Sequence, residues 1–93
     1  MLASIVYLHG FRSSPRSFKA QLLGRRMASV GLANQYVCPM LPVSPREAMA
    51  ETDALIAELS ARDGTKPALI GSSLGGFYAT WLAERHGLRA AML

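Results

Sequence analysis

Ninety-three residues provide enough chain for one small domain, in which folding buries roughly two-thirds of the surface that the unfolded chain exposes. Hydrophobic residues make up 51% of the chain and charged residues 17%, which excludes an intrinsically disordered protein. The net charge of +4 comes from scattered lysines and arginines, of which only Arg25 and Arg26 are adjacent. Because this scatter lacks the basic stripe of a nucleic-acid-binding surface, we expect no nucleic-acid partner.

The single cysteine, Cys38, cannot form an internal disulfide, which is typical of a reducing compartment. It lies in an apolar run with no cluster of histidines or cysteines nearby, so we predict a small core residue and no metal site. The apolar residues 1–8 lack the basic start of a signal peptide. No stretch approaches the ~20 apolar residues that a membrane span requires. We therefore expect a soluble, cytoplasmic protein with no membrane partner.

In chain order, the first half predicts a strand, a helix and a second strand. Residues 4–8 form a β-rich run that ends at His9-Gly10-Phe11. Ser14-Pro15 predicts the start of a helix that continues to about Val30 and is ended by Gly31. Its predicted buried side consists of apolar residues at helical spacing: Phe18, Leu22, Leu23, Met27 and Val30. The second strand is predicted over residues 35–38.

The second half predicts two more helices and two more strands. Residues 44–47 form a capping box with proline at the first helical position, and the helix should end at Asp63-Gly64. Its predicted buried stripe is Ala48, Thr52, Leu55, Ile56 and Leu59. A strand over 68–70, a helix to about His86 and a strand over 88–93 complete the pattern. The sequence thus predicts an α/β fold, a three-layer arrangement of a four-stranded parallel sheet with three helices on its two faces.

Ligands of such sheets bind beyond the carboxyl ends of the strands, which here means the loops 9–14 and 71–75. The second loop, Gly71-Ser72-Ser73-Leu74-Gly75, matches G-x-S-x-G, the nucleophile elbow of serine hydrolases. The required strand precedes it and the required helix follows it. Gly71 and Gly75 are the small residues that a sharp turn needs on either side of the central serine. The pattern predicts a nucleophile at Ser73, and the alternative is a Gly-Ser turn without chemistry.

Three blocks of sequence, residues 7–11, 13–15 and 70–82, resemble the α/β-hydrolase family, most closely the small bacterial YqiA-type esterases. The likeness covers residues 1–93 as the N-terminal part of one hydrolase domain, and Arg12 replaces an asparagine expected there. It implies a serine esterase without a cofactor, acting on small carboxylic esters or acyl thioesters. By this resemblance Ser73 is the nucleophile, and the backbone N–H groups of Phe11 and Leu74 hold the oxyanion. The site is shaped by four further residues: His9, Gly10, Gly71 and Gly75.

A serine hydrolase also needs a histidine base and an acid, which on this fold follow the serine in the sequence. After Ser73 the candidates are Glu84 and His86. Thirteen helical residues would place His86 roughly 20 Å from Ser73, far beyond hydrogen-bond reach. His9 could pair with Ser73 only in an unusual arrangement. Asp53 within a helix and Asp63 at the opposite end of the sheet are poor orienting acids.

We therefore expect a truncated hydrolase whose triad Asp and His lie beyond the C-terminus. Three alternatives remain. Another copy or a separate chain could complete the site through the exposed apolar edge of the sheet, where self-association is expected. The fold could be a non-catalytic binding module that keeps the elbow as scaffold. A phosphate- or dinucleotide-binding loop is the weakest alternative, because the chain has no G-x-G-x-x-G and no Gly-Lys-Ser/Thr.

Overall fold

The computed structural model describes residues 3–10 and 16–93, in which strands and helices alternate. The elements are β1 (Ile5–Leu8), α1 (Phe18–Ser29), a 3₁₀ turn (Ala33–Gln35), β2 (Tyr36–Val37), α2 (Pro45–Asp63), β3 (Ala68–Gly71), α3 (Leu74–His86) and β4 (Ala90–Met92). The predicted order of strands and helices is confirmed. No helix in this described part is both long and apolar enough to cross a bilayer.

The four strands form one parallel sheet in the order β2-β1-β3-β4. The chain leaves β1 toward one edge to form β2 and then returns past β1 to form β3. The direction of progress therefore reverses between β1 and β3, which makes their carboxyl ends the switch point of the sheet. Leu8 pairs with Gly71, so the two strands end at the same level. The predicted α/β class with a parallel sheet is confirmed.

The three layers follow from the alternation of side chains along the strands. One face carries Val6, Leu8 and Leu69, against which α2 and α3 pack. Buried helix residues that complete this core are Ala48, Ile56, Leu59, Tyr78, Ala79 and Leu82. Alternation places the buried Tyr7 on the opposite face, on the side of α1. The Tyr36 hydroxyl donates to the Ala20 carbonyl of α1 at 2.7 Å and ties this helix to β2.

Helix α1 differs from its prediction in start and in buried face. It begins at Phe18 with Ser17 as its N-cap, and Ser14 and Pro15 lie outside the described residues. Its buried residues are Ala20 and Met27, whereas Phe18 and Val30 are 73% and 67% exposed. The physical reason is the Tyr36 ring, which packs so closely on α1 that a Cβ at Gly24 would lie 3.1 Å from it. Ala20 and Gly24 therefore face the sheet together with Met27, which is buried as predicted, and Phe18, Leu22 and Val30 are exposed.

Helix α2 follows its prediction closely. Ser44 accepts from the Glu47 N–H, Pro45 is the first helical residue, and Gly64 ends the helix in the left-handed region at φ 71°. At the amino ends of the strands, opposite the end where Ser73 lies, the Ser4 hydroxyl donates to Asp63 at 2.6 Å. Hydrogen bonds from Arg62 and then from Ser4 hold the pKa of the Asp63 carboxyl below its ordinary value. This cluster joins the end of α2 to the start of β1.

Two further sequence expectations concern the edges of the sheet. Cys38 is half-buried just after β2, rather than a fully buried core residue within a strand. At the other edge, all three residues of β4 are exposed, and so is Leu93. Self-association through that edge stays a prediction.

Candidate active site

Ser73 occupies the turn between β3 and α3, at the N-cap position of α3. Its backbone has φ 57° and ψ −122°, the only positive φ of a non-glycine residue in the described part of the chain. Ser17 and Ser44 also cap helices, but both have negative φ and both accept a hydrogen bond from the first turn. The Ser73 side chain makes no such capping bond, and the residue is exposed. A strained serine whose hydroxyl is left free matches the geometry of a nucleophile elbow.

Gly71 and Gly75 are required by close backbone contacts. A Cβ on Gly71 would overlap the Gly75 carbonyl group, and one on Gly75 would overlap the Leu8 carbonyl oxygen. The obstructing atoms are backbone, so they cannot rotate aside. Gly76, in contrast, has room for a Cβ, whose nearest neighbours would be Met92 atoms at 3.4 Å. The sequence argument for small residues therefore holds at Gly71 and Gly75, and Gly76 is dispensable for the turn.

The loop after β1 lies directly against the candidate nucleophile. A Cβ on Gly10 would lie 3.0 Å from the Ser73 Cβ and 3.5 Å from its Oγ. Leu74 is the first residue of α3, so its N–H has no acceptor within the helix. This N–H is one of the two predicted oxyanion donors. The other, that of Phe11, lies outside the described residues.

His9 is 95% buried, and both of its ring nitrogens contact backbone groups. The Leu41 N–H donates to Nε2 at 3.0 Å, so Nε2 is an acceptor without a proton. The other nitrogen, Nδ1, lies 3.1 Å from the Gly10 carbonyl oxygen. With both nitrogens engaged, this imidazole is not placed to take a proton from Ser73. Sequence reasoning missed the contact with Leu41, because nothing local marks a partner 32 residues away.

The second histidine lies at the far end of α3. His86 Nε2 is 2.6 Å from Asp53 Oδ1, and Arg85 lies 3.5 Å from the same oxygen. A histidine paired with an aspartate has the composition of a triad's base and acid. The length of α3 nevertheless separates it from Ser73 by roughly 20 Å. Glu84 is exposed near the same end of α3, and Asp63 belongs to the cluster with Ser4, so none of these acids reaches the site.

A groove beside α2 and the distribution of possible metal ligands were compared with the surroundings of Ser73, and neither supplies a catalytic partner in the described residues. A groove of about 320 Å³ separates α2 from the segment after β2. It is lined by Pro39, Leu41, Glu51, Thr52, Ala54, Leu55 and Glu58, which include no histidine and no nucleophile paired with a base. Within residues 3–10 and 16–93, no three acidic, histidine or cysteine side chains gather into a metal-binding set. Ser73 therefore stays the candidate nucleophile that the sequence predicts.

Comparison with known protein families finds one family whose model matches most of the chain. The model of a family described as "Uncharacterised protein family (UPF0227)" matches residues 4–93. The match takes in both loops at the switch point, His9-Gly10 and residues 71–75. Its description carries no activity, so the esterase assignment stays a prediction. The chain belongs to the UPF0227 family.

Proposed function

We propose that this chain carries the nucleophile and part of the oxyanion hole of a serine hydrolase that acts on carboxylic esters or acyl thioesters. The observation that carries the proposal is the backbone of Ser73, which is held at φ 57° with its hydroxyl free of the helix cap. A strain of this kind costs on the order of 1–3 kcal/mol and persists only where the surrounding structure imposes it. Here the close approach of Gly71 to Gly75 imposes it.

In the proposed reaction, Ser73 Oγ attacks the carbonyl carbon and loses its proton to a base, and the carbonyl oxygen becomes an oxyanion. The Leu74 N–H at the start of α3 donates to that oxygen, together with the N–H of Phe11. Each such donor accelerates the reaction by roughly 10²–10³-fold. Collapse of the tetrahedral intermediate expels the alcohol or thiol and leaves an acyl-serine, which water then hydrolyses.

The base and its acid are proposed to come from outside these ninety-three residues. His9 is engaged by two backbone groups and His86 lies at the far end of α3. A later segment of the same polypeptide is the first candidate source. A second copy across the exposed β4 edge is the other, and it would make activity depend on protein concentration.

The test uses the complete reading frame that contains this chain, labelled with a fluorophosphonate and assayed with a p-nitrophenyl ester. Labelling and turnover should be lost in Ser73→Ala and kept in Ser72→Ala, its neighbour at the variable position of the motif. Turnover that survives Ser73→Ala would overturn the proposal.

A second candidate is a non-catalytic binding module, favoured by the absence of a free histidine near Ser73 in the described residues. It predicts that an ester binds without turnover and that Ser73→Ala leaves the dissociation constant unchanged. Equilibrium dialysis with the same ester, run beside the activity assay, separates the two candidates.

A further inference from the structure

We propose that this chain binds a second copy of itself through an antiparallel pair of helices, in which the outer face of α1 in one copy lies in the groove beside α2 of the other copy. The outer face of α1 is formed by Phe18, Lys19, Leu22 and Arg26, which are all exposed. The groove is the one between α2 and the segment after β2. This contact does not depend on the proposed hydrolase activity, and it is separate from the exposed β4 edge.

The charges of the chain are divided between its two halves. Residues 1–46 contain six of the ten lysines and arginines and no aspartate or glutamate. Residues 47–93 contain the other four basic residues and all six acidic ones. The first half therefore carries a formal charge of +6 and the second −2, which together give the net +4. Because α1 lies in the first half and α2 in the second, two copies of the chain attract each other where these helices meet.

Helix α1 presents a basic and apolar face to solvent. Phe18 is 73% exposed and Leu22 is 43% exposed. Lys19 and Arg26 lie on the same side of the helix as Leu22, because residues three, four and seven positions apart share a helix face. Neither of these two cations forms a salt bridge with another residue of the described ranges, and the first turn of α1 contains no acidic residue. This face therefore offers apolar area together with cations that lack an acidic neighbour.

The groove beside α2 has the complementary composition. Glu51 and Glu58 are exposed and line it, and the half-buried Leu55 lies between them on the same stripe of the helix. Neither glutamate forms a salt bridge in the part of the chain that the structure describes. Arg62, one turn after Glu58, is already bound to Asp63 at 2.7 Å. The groove therefore provides an apolar floor with a carboxylate near each end.

The spacings of the two surfaces match in an antiparallel alignment. Each surface has a leucine between two charged residues that are seven positions apart, and the steps of three and four residues occur in opposite order on the two helices. With the leucines aligned, three pairs face each other: Leu22 and Leu55, Lys19 and Glu58, and Arg26 and Glu51. Seven residues rise about 10.5 Å on any α-helix, so both ion pairs close together around the leucine contact. A parallel alignment of the charges would instead set Leu22 against Ala54.

The position of the helices determines the kind of assembly. α1 and α2 lie on opposite faces of the sheet, so one copy cannot make this contact within itself. Because the contact joins two different surfaces, copies associate head to tail. A single helix pair lies at the low end of specific interface areas, so association is weak and requires high protein concentration. Exposed charges are screened by salt, so the association weakens as the salt concentration rises.

The first test is sedimentation velocity of the ninety-three-residue chain over a range of protein concentrations. In dilute buffer the weight-average sedimentation coefficient should rise with protein concentration. This rise should shrink in about 1 M NaCl, where the Debye length is about 3 Å. A chain that stays monomeric in dilute buffer would overturn the proposal. Association of equal strength at both salt concentrations would also overturn it, because that result is expected from pairing of the β4 edges.

The second test reverses the charges on one surface at a time, in Lys19→Glu/Arg26→Glu and in Glu51→Lys/Glu58→Lys. Each double variant alone sets like charges opposite each other and should have an association constant lower by roughly 10-fold or more. An equimolar mixture should associate again, because the basic α1 of the second variant meets the acidic groove of the first. All four positions are exposed, and circular dichroism checks that each variant folds.

Two controls separate the contact from a general effect of charge. The variant with all four substitutions keeps the net charge of the wild type and should associate as the wild type does. Glu84→Lys/Arg89→Glu also keeps the net charge, and its reversed charges lie at exposed positions outside both surfaces, so its association should be unchanged. A mixture of the two double variants that stays monomeric, or a fourfold variant that does, would refute the antiparallel pairing. Equal loss of association in the Glu84 and Arg89 control would refute it as well.

Discussion

Gly75→Ala tests whether α3 must approach the end of β1 as closely as the turn at Ser73 requires. A Cβ at this position would lie 2.6 Å from the Leu8 carbonyl carbon and 2.7 Å from the His9 carbonyl oxygen. Leu8 belongs to a central strand, and its carbonyl oxygen already accepts from the Ser72 N–H at 3.1 Å. The obstruction is therefore fixed backbone and not a flexible side chain.

The expected loss of stability follows from the distance by which α3 must move away from β1. Non-bonded carbon atoms rest about 3.5 Å apart, so α3 and β1 would have to separate by about 1 Å. Overpacking of this kind costs ~1–3 kcal/mol, and we expect about 3 kcal/mol because the obstructing atoms are backbone. For a domain of this size that loss lowers the melting temperature by roughly 12–24 °C.

Gly76→Ala is the matched control, one residue further along the same helix. Its Cβ would meet Met92 atoms at an ordinary 3.4 Å, and alanine is favoured over glycine in a helix by about 1 kcal/mol. We expect this variant to be as stable as the wild type or slightly more so. Thermal and urea unfolding followed by circular dichroism measure both variants. Similar melting temperatures for the two would refute the close approach of α3 to β1.

Three further predictions concern the backbone strain at Ser73, the charge of Asp63 and the hydrogen bond between Tyr36 and α1. Ser73→Gly should relieve the positive φ and raise stability by about 1–2 kcal/mol in urea unfolding while abolishing fluorophosphonate labelling, whereas Ser73→Ala abolishes labelling without that gain. Because the pKa of Asp63 is lower in the folded state than its ordinary value of 3.8, the Asp63 carboxylate stabilises the fold fully at pH values above 3.8. This stabilisation is lost as the pH falls from 3.8 through the lowered pKa of the folded state. Asp63→Asn should therefore flatten the acid limb of the stability curve, and Glu51→Gln, an exposed control on the same helix, should not. Tyr36→Phe removes the hydroxyl that bonds α1 and should cost about 1 kcal/mol by thermal unfolding.

Local signals were sufficient to predict the order of elements and the position of Ser73. Gly64 and Gly87 end α2 and α3 in the left-handed region, where glycine carries no steric penalty. The pair Gly71 and Gly75 marked a turn too tight for side chains, and the contacts of their missing Cβ atoms bear this out. These features depend on the backbone of neighbouring residues, so they leave a pattern in the sequence.

Features that depend on distant partners could not be predicted. The orientation of α1 depends on the Tyr36 ring, which lies against Gly24 and bonds Ala20, and this contact leaves Phe18 and Val30 exposed. The helix was predicted to start at Ser14-Pro15, which lies outside the described residues, whereas Ser17 caps α1 in the structure. The hydrogen-bond partners of His9 and His86 lie on other elements, and no local pattern in the sequence predicts these contacts.

The order of the sheet explains why the two loops of the candidate site meet. β1 and β3 are neighbours although α1, β2 and α2 separate them in sequence, and their pairing continues to the level of Leu8 and Gly71. The first residues beyond that level are His9-Gly10 on one strand and Ser72-Ser73 on the other. Gly10 has no side chain to separate the loop after β1 from the loop after β3. Gly75 allows the start of α3 to pack closely against the end of β1. The position of Ser73 is therefore a consequence of strand order and of these glycines together, and either substitution, Gly10→Ala or Gly75→Ala, should disturb it from a different side.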